Sequence, residues 1–326
     1  MLRLGVVGMG IGGSHGAKIH ASDKAELAAI CDRDPEKLKW RLETYAKEIG
    51  ARPAGYTDMD EMLSKEKLDG VLVSTPSGLH HRQALVAARH GTNLLLDKPI
   101  DINLANIDQI EAAFAGKDVR VGVNYQMRFE PGYRAVKRAL EAGLFGRLLM
   151  VDVRLKWFRD QAYYEAGGWR GTWAMDGGGS LMNQGAHPMD LLCWFAGRPV
   201  KVRCDFAVLN HRIETEDWAA GIVEFEGGVR SCLTTTTDVA PENDRVFIEV
   251  HGTAGSAWLV NGRIVETNIA PLRDPPVPEF PGAIEDFIDA IAHRRPPEVS
   301  IAQARRSVAM ILRLYESARQ GRTLEV

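Results

Sequence analysis

Residues 2–13 read LRLGVVGMGIGG, a short apolar run interrupted by Gly8, Gly10 and Gly13. A strand that ends in Gly-x-Gly-x-x-Gly and passes straight into a helix makes its tight turn at the first glycine. The second glycine lets the backbone approach a bound group closely, and the amides of the helix's first turn then face an anion. Asp32 closes the next apolar run, ELAAICD, about 20 residues on, where a dinucleotide-binding unit places an acid on the ribose hydroxyls. Gly8, Gly10, Ile11, Gly13 and Asp32 are therefore candidate cofactor residues. A carboxylate at Asp32 repels a 2′-phosphate, which argues for NAD. Arg33 offsets that repulsion, so NADP stays open.

The alternation continues outward from this turn. Asp34-Pro35 predicts a capped amphipathic helix with proline at its first position, and Asp58 caps a short one. DGVLVSTP (69–76) reads as a strand, LHHRQALVAARHG (79–91) as a helix stopped by glycine, and TNLLLDKP (92–99) as a strand ended by proline. A helix over about 104–115 and the strand VRVGVN (119–124) complete the series. Strand–helix alternation predicts an α/β unit: a doubly wound parallel sheet with all strand C-termini at one edge, where ligands bind. Gly8–Gly13, Asp32, Thr75–Pro76 and Asp97–Pro99 all fall on that edge.

After Asn124 the rhythm changes. A helix over about 132–142 and the strand RLLMVDVRLKW (147–157) precede a loop rich in Tyr, Trp and Gly. Between Val200 and Val265, strand-like runs alternate with turn signals at 226–228, 252–255 and Asn261-Gly262, which predicts an antiparallel meander. The loop 271–281 is too rich in proline for regular structure, and helices over 283–293 and 301–319 close the chain. The expected organisation is thus a nucleotide-binding domain over 1–123 and an α+β domain over 124–326, built on a large open, mainly antiparallel sheet.

The chain has 326 residues and a net charge of −3, so nothing in its charge favours nucleic acid or an anionic membrane. No apolar run approaches the ~20 residues of a membrane span. Four cysteines without a CxxC pair, three of them in apolar contexts, fit a reducing, cytoplasmic setting.

Two clusters carry the candidate chemistry. In the first, Lys98 follows the buried run LLL and precedes a proline, which puts a cation at the ligand edge of the sheet. Thr75, Pro76 and His80 lie on the same edge; His80 and the adjacent His81 point in different directions. The second cluster lies in GGGSLMNQGAHPMD (177–190), where spacings of four and three put Asn183, His187 and Asp190 on one helix face. H-x-x-D without further His or Cys at ligand spacing is a poor zinc signature, so no metal is expected. Asp190 reads equally as a buried, satisfied carboxylate or as a group orienting His187. Trp157, Tyr163, Tyr164, Trp169, Arg170 and Trp173 precede this segment and suit either a sugar ring or core packing.

These residues, in this order, resemble the Gfo/Idh/MocA oxidoreductases over the whole chain. The family's nucleotide loop matches Gly8, Gly10 and Gly13, and its T-P-x-x-x-H stretch matches Thr75, Pro76 and His80. Its E-K-P motif appears as Asp97-Lys98-Pro99, and its D-x-G-x-H-x-x-D helix start as Asn183 to Asp190. The resemblance implies a Rossmann domain and a C-terminal α/β domain whose open sheet mediates dimers or tetramers, with the final helices packing back on the N-terminal domain. It implies catalytic roles for Lys98 and His187, with Asn183 standing where the family has an acid.

The expected reaction is reversible oxidation of a secondary hydroxyl on a sugar, polyol or inositol, with hydride passing to nicotinamide. His187 then serves as the base, Lys98 stabilises the alkoxide, and Asn183 holds a neighbouring hydroxyl. Tyr125, Arg128, Trp157 and Arg170 are further substrate-contact candidates, and Asp97 counts among the cofactor residues. The rival readings are an NAD-dependent glycosidase acting by transient oxidation, a non-catalytic NAD-binding regulator, and a sugar-nucleotide dehydrogenase.

Overall fold

Short strands, most of them apolar runs broken off by a glycine or a polar residue, form the first sheet. In the computed structural model, which describes residues 1–274 and 281–326, they are β1 (Leu2–Val7), β2 (Ala25–Cys31), β3 (Ala54–Tyr56), β4 (Gly70–Val73), β5 (Asn93–Leu96) and β6 (Val121–Val123). The strand order is β3-β2-β1-β4-β5-β6, and every neighbouring pair is parallel. All four residues of β4 are buried, as a strand covered on both faces requires. Helices α1 (Gly12–His20), α2 (Pro35–Glu48), α3 (Met59–Lys65), α4 (His80–His90) and α5 (Leu104–Phe114) make the crossovers. Their starts follow the sequence signals: Asp34 accepts the amides of Glu36 and Lys37, Asp58 that of Glu61, and Asn103 that of Ala105. β3 was not anticipated, because three residues carry no periodicity and only the edge of β2 makes them a strand.

The chain divides into two units: Met1–Asn124 with Gly282–Ile301, and Tyr125–Pro281 with Ala302–Val326. The two closing helices were expected to go together onto the N-terminal domain, and they part instead. α9 (Ala283–Ala292) belongs to the first unit, where Ile284, Phe287 and Ile288 join Leu4, Val6, Leu72 and Leu95 in one core. α10 (Ile301–Gln320) belongs from Ala302 onward to the second unit, where its Tyr315 and Ser317 hydrogen-bond to Glu216 and Cys204.

The second unit holds an eight-stranded sheet. Its strands are β7 (Leu148–Lys156), β8 (Pro199–Ala207), β9 (Trp218–Phe225), β10 (Arg230–Thr236), β11 (Arg245–Gly252), β12 (Ser256–Val260), β13 (Arg263–Thr267) and β14 (Leu324–Glu325). The order is β13-β12-β11-β7-β10-β9-β8-β14. This corrects the expected meander: β7 inserts between β10 and β11 and runs parallel to β10, while the other pairs are antiparallel. The turns at 226–228, 252–255 and Asn261-Gly262 do join hairpins. Helices α6 (Pro131–Glu141), α7 (Gln161–Glu165) and α8 (Ala186–Ala196) complete the unit; α7 is one turn of helix within the expected Tyr/Trp/Gly loop, capped by Asp160. Val246, Ile248 and Val250 of β11 point into the core, and Phe247, Glu249 and His251 alternate onto the opposite face. Of the proline-rich loop expected over 271–281, residues 275–280 lie outside the described residues.

Candidate active site

In the first unit the glycine turn is built against the end of β4. Gly8 has φ +92°, and a Cβ there would lie 2.6 Å from the Ser74 carbonyl oxygen, so both conformation and space demand glycine. Gly10 is exposed, with only the Lys37 ammonium as near as 4.0 Å to the place a Cβ would take. Beyond it Ile11 is exposed at the start of α1, and the Gly13 carbonyl accepts the buried Tyr45 hydroxyl at 2.7 Å. The loop is thus held rigid from below and open above.

Asp32 ends β2 beside it. Its carboxylate accepts the Met9 amide at 2.7 Å and the Asp34 amide at 3.1 Å, and pairs with Lys37 at 3.0 Å. Burial alone would raise its pKa, but these donors and the Lys37 charge bring it below the ordinary carboxylate value. An ionised acid beside an open glycine turn and a helix N-terminus fits the ribose and pyrophosphate of a dinucleotide. Lys37 was missed because a lysine on a charged helix reads as solvated. Arg33 is exposed.

The ends of β4 and β5 complete this edge. The Thr75 hydroxyl donates to Gln83 at 2.5 Å. His80, expected at the cofactor, is instead buried, its ring nitrogens facing the Pro99 carbonyl at 2.8 Å and the Thr75 carbonyl at 3.0 Å. It braces the Lys98-Pro99 turn against β4 and leaves no edge for a ligand. Pro76 occupies the turn between, and the Lys98-Pro99 peptide is cis. Lys98 is half-buried. Asp97 receives the Lys98 amide at 3.1 Å, the Asn124 side chain at 3.2 Å and the His15 ring at 3.2 Å. Burial opposes its ionisation, yet the hydrogen bond and charge of His15, with Lys98 and His80, pull its pKa down to about 2. Asp97 thus braces the strand end as well as lying on the cofactor edge; His15 was unforeseen.

In the second unit, Gly177–Gly179 lead into a π-helical turn over Ser180–Gln184, closed by Gly185 N donating to Ser180 O at 2.8 Å, before α8 begins. The sequence spacing assumed one continuous α-helix. The π-turn interrupts the continuous α-helix on which the spacing of Asn183, His187 and Asp190 was reckoned, with Asn183 in the wider turn and His187 and Asp190 on α8. The Asn183 amide nitrogen donates to Asp176 at 2.6 Å, and Asp176, only 1% exposed, also accepts the Gly171 amide at 2.9 Å. His187 is 6% exposed and meets the edge of the Tyr125 ring at 5.8 Å.

Two substrate-contact candidates are corrected here. Arg128 is buried and grips Asp190 through two 2.6 Å bonds, with its guanidinium also over Trp194. That pairing decides the role of Asp190: it is the satisfied carboxylate of a buried ion pair, its pKa raised by burial against the pull of Arg128. Tyr125 is fully buried with its hydroxyl 3.2 Å from Ser307, so it packs behind His187.

Trp157 and Arg170 do share a half-exposed surface. Arg159 lies over both Trp157 and Tyr163, and Arg170 over both Tyr163 and Trp169. Gln184 ties this stack to the π-turn by donating to the Tyr163 hydroxyl at 3.0 Å. Tyr164 is buried against His211 and belongs to the core, whereas Trp173 is half-buried and packs among Phe206, Tyr315 and the exposed Arg319.

Asp176, Gln184 and Glu216 went unnoticed in the sequence, as did a cluster of His211, Asp217 and Asp238 whose ligand atoms lie within 4.8 Å of one another. Asp217 there already accepts the amides of Leu209, Asn210 and His211, and so is committed to shaping that turn.

Residues 2–125 match the family model described as an oxidoreductase family with an NAD-binding Rossmann fold, and residues 133–258 match the GFO/IDH/MocA C-terminal domain. The chain is 32% identical to the WlbA dehydrogenase of Bordetella pertussis, whose structure holds NADH and UDP-GlcNAcA; the match covers 100% of this chain and 98% of that one, with a TM-score of 0.88. For WlbA of Chromobacterium violaceum, with the same ligands, the figures are 30%, 100%, 96% and 0.90. The scyllo-inositol 2-dehydrogenase (NAD(+)) of Bacillus subtilis is 26% identical over 264 residues, 79% of this chain and 73% of its own.

Proposed function

The chain belongs to the Gfo/Idh/MocA family of NAD-binding oxidoreductases, and from that premise we propose that it reversibly oxidises a secondary hydroxyl of a sugar, with a nucleotide-linked sugar as the favoured form. Likeness to the two WlbA enzymes at 30% identity or more over the whole chain supports the nucleotide-linked form. Likeness to an inositol dehydrogenase supports a cyclic polyol as the second choice.

The observation that carries the reading is the end of β5. Lys98 stands on the same sheet edge as the glycine turn and the ionised Asp32. In this reading Gly8, Gly10, Ile11 and Gly13 cradle the pyrophosphate, Asp32 takes the ribose hydroxyls, and its charge favours NAD over NADP. Thr75, Pro76 and Asp97 border the cofactor. Nicotinamide, when bound, supplies the two-electron acceptor for the carbinol carbon. Lys98 stabilises the negative charge that develops on the substrate oxygen. His187 takes the hydroxyl proton as general base and returns it in the reverse direction. Asn183, its amide nitrogen engaged by Asp176, orients a neighbouring hydroxyl. Trp157 and Arg170 offer an aromatic and cationic surface to the rest of the substrate.

The test is a screen of UDP-GlcNAcA, scyllo-inositol and free sugars with NAD and NADP, following reduced cofactor. Lys98→Ala and His187→Ala should each lower turnover at least a hundredfold while NAD still binds; near-normal turnover in both would refute the assignment. Cleavage of a glycoside without net NADH would point to transient oxidation, and silence across the whole panel to a regulator.

For the oligomer, the exposed face of the eight-stranded sheet is the proposed contact. Ile222 is 54% exposed there, and Cys232 is exposed beside it. Four cysteines outside any disulfide suit a reducing cytoplasm.

A further inference from the structure

Four consecutive amides open the helical run that carries Asn183 and His187, and all four are held by two residues distant in sequence. Gly179 N donates to Glu216 Oε2 at 3.0 Å and Leu181 N to Glu216 Oε1 at 2.8 Å. Ser180 N donates to the Glu216 backbone carbonyl at 2.9 Å, and Met182 N to the Tyr315 hydroxyl at 3.1 Å. That hydroxyl in turn donates to Glu216 Oε1 at 2.8 Å. Both side chains are buried.

A helix start leaves its first amides without partners, and one capping side chain ordinarily serves one or two of them. Here the cap position is Gly179, which has no side chain to offer. The glycine triplet now has a physical reason: a Cβ on Gly179 would run into the Glu216 carbonyl oxygen, and one on Gly178 into the Tyr315 hydroxyl. Glycine brings the turn close enough for Glu216 to take the place of a local cap, and its negative charge meets the positive end of the helical run.

The geometry points to Glu216 as a positioning residue of the reaction, one that holds the turn from Gly179 to Gln184 and, through it, Asn183 and His187 in working arrangement. The inference rests on the reading of His187 as the base. Burial pushes the Glu216 carboxyl up to about 7, against the pull of its donors, so its protonation falls within the working range of pH. The titratable groups around it are Tyr315 on α10, Cys204 on β8, Tyr164 on α7 and, beside Tyr315, Asp176.

Amide hydrogen exchange over residues 177–186 and the carbon NMR signal of the His187 ring test this without any substrate. Wild type should lose protection at Gly179 and Leu181 as pH falls through about 7. Glu216→Gln keeps the volume but turns a donor toward one of the amides. It should lower protection of amides 179–182 about tenfold, abolish the pH step and displace the His187 signal, with NAD affinity unchanged. Tyr315→Phe should lower protection chiefly at Met182. Wild-type protection and an unmoved His187 signal in Glu216→Gln overturn the inference. If that variant does not fold, full protection of Met182 in Tyr315→Phe overturns it. Turnover by His187→Ala is measured separately, so the assignment of the base and the role of Glu216 can fail independently.

Discussion

Asparagine at 183 is tied to the acid beside it, and replacing it with aspartate isolates that dependence. The Asn183 amide nitrogen lies 2.6 Å from an oxygen of Asp176, which is 1% exposed and whose second oxygen already accepts an amide. Asn183→Asp puts a carboxylate oxygen where a donor stood. Two unit charges at that separation repel by about 6 kcal/mol at an effective dielectric constant of about 20. A pH change of one unit is worth about 1.4 kcal/mol per proton, so the folded pair keeps one proton at neutral pH, as paired acids do.

Unfolding releases that proton, because both acids ionise at about 3.9 in the open chain. The folded variant therefore binds one proton more than the unfolded chain, and its stability falls relative to wild type as pH rises, by about 1.4 kcal/mol per unit above pH ~4. Between pH 5 and 7 the deficit should grow by about 3 kcal/mol. Urea unfolding of the two proteins at pH 5, 6 and 7 measures it. Asn183→Ala should show a deficit that does not vary with pH, and Asp176→Asn combined with Asn183→Asp should flatten the profile again. A pH-independent deficit in Asn183→Asp would refute the reasoning, since it would mean the two carboxylates never share the site.

Three further outcomes follow from other contacts. Arg128→Ala strands the buried Asp190 and should cost about 3–5 kcal/mol, whereas replacing both residues with leucine should recover most of the loss in the same unfolding assay. Asp97, held at about 2, has a depressed folded pKa, so its contribution is present above the unfolded value and lost as pH falls toward 2. Acid unfolding should show about 2 kcal/mol of this stability disappearing in wild type and not in Asp97→Asn. Phe287→Ala should destabilise the first unit by about 3–5 kcal/mol, seen as an earlier unfolding transition and weaker NAD binding.

Apart from β3, the first sheet was legible because its strands are continuous apolar runs broken off by glycine or polar residues, and α2, α3 and α5 start at side-chain caps. Strand order in the second sheet was not. Nothing local in RLLMVDVRLKW says that β7 will lie between β10 and β11, since that pairing is decided by residues some 80 to 95 positions away. Lys98 and His187 stood out because a cation after LLL and an imidazole opening an apolar helix break the pattern around them. The π-turn was invisible, since an Asn-x-x-x-His spacing is the same in either helix type. Asp176 and Glu216 were missed for a related reason. Asp176 is a lone acid in a loop and Glu216 one of three acids in Glu214-Thr215-Glu216-Asp217, and for Glu216 the partners that give it meaning are 37 and 99 residues away.

The return of α9 to the first unit also bears on how the protein is made. The core that contains Leu4 and Leu95 is packed in part by Ile19, Leu38 and Tyr45 and completed by Ile284, Phe287 and Ile288, so the nascent N-terminal sheet leaves the ribosome with the part that α9 covers still open. The second unit is translated almost entirely in the interval, which at 5–20 residues per second lasts roughly 8–30 s. During that wait the early sheet is a natural client for chaperones that shield apolar surface, and premature termination before residue 283 yields a fragment prone to aggregate rather than a smaller working nucleotide-binding domain.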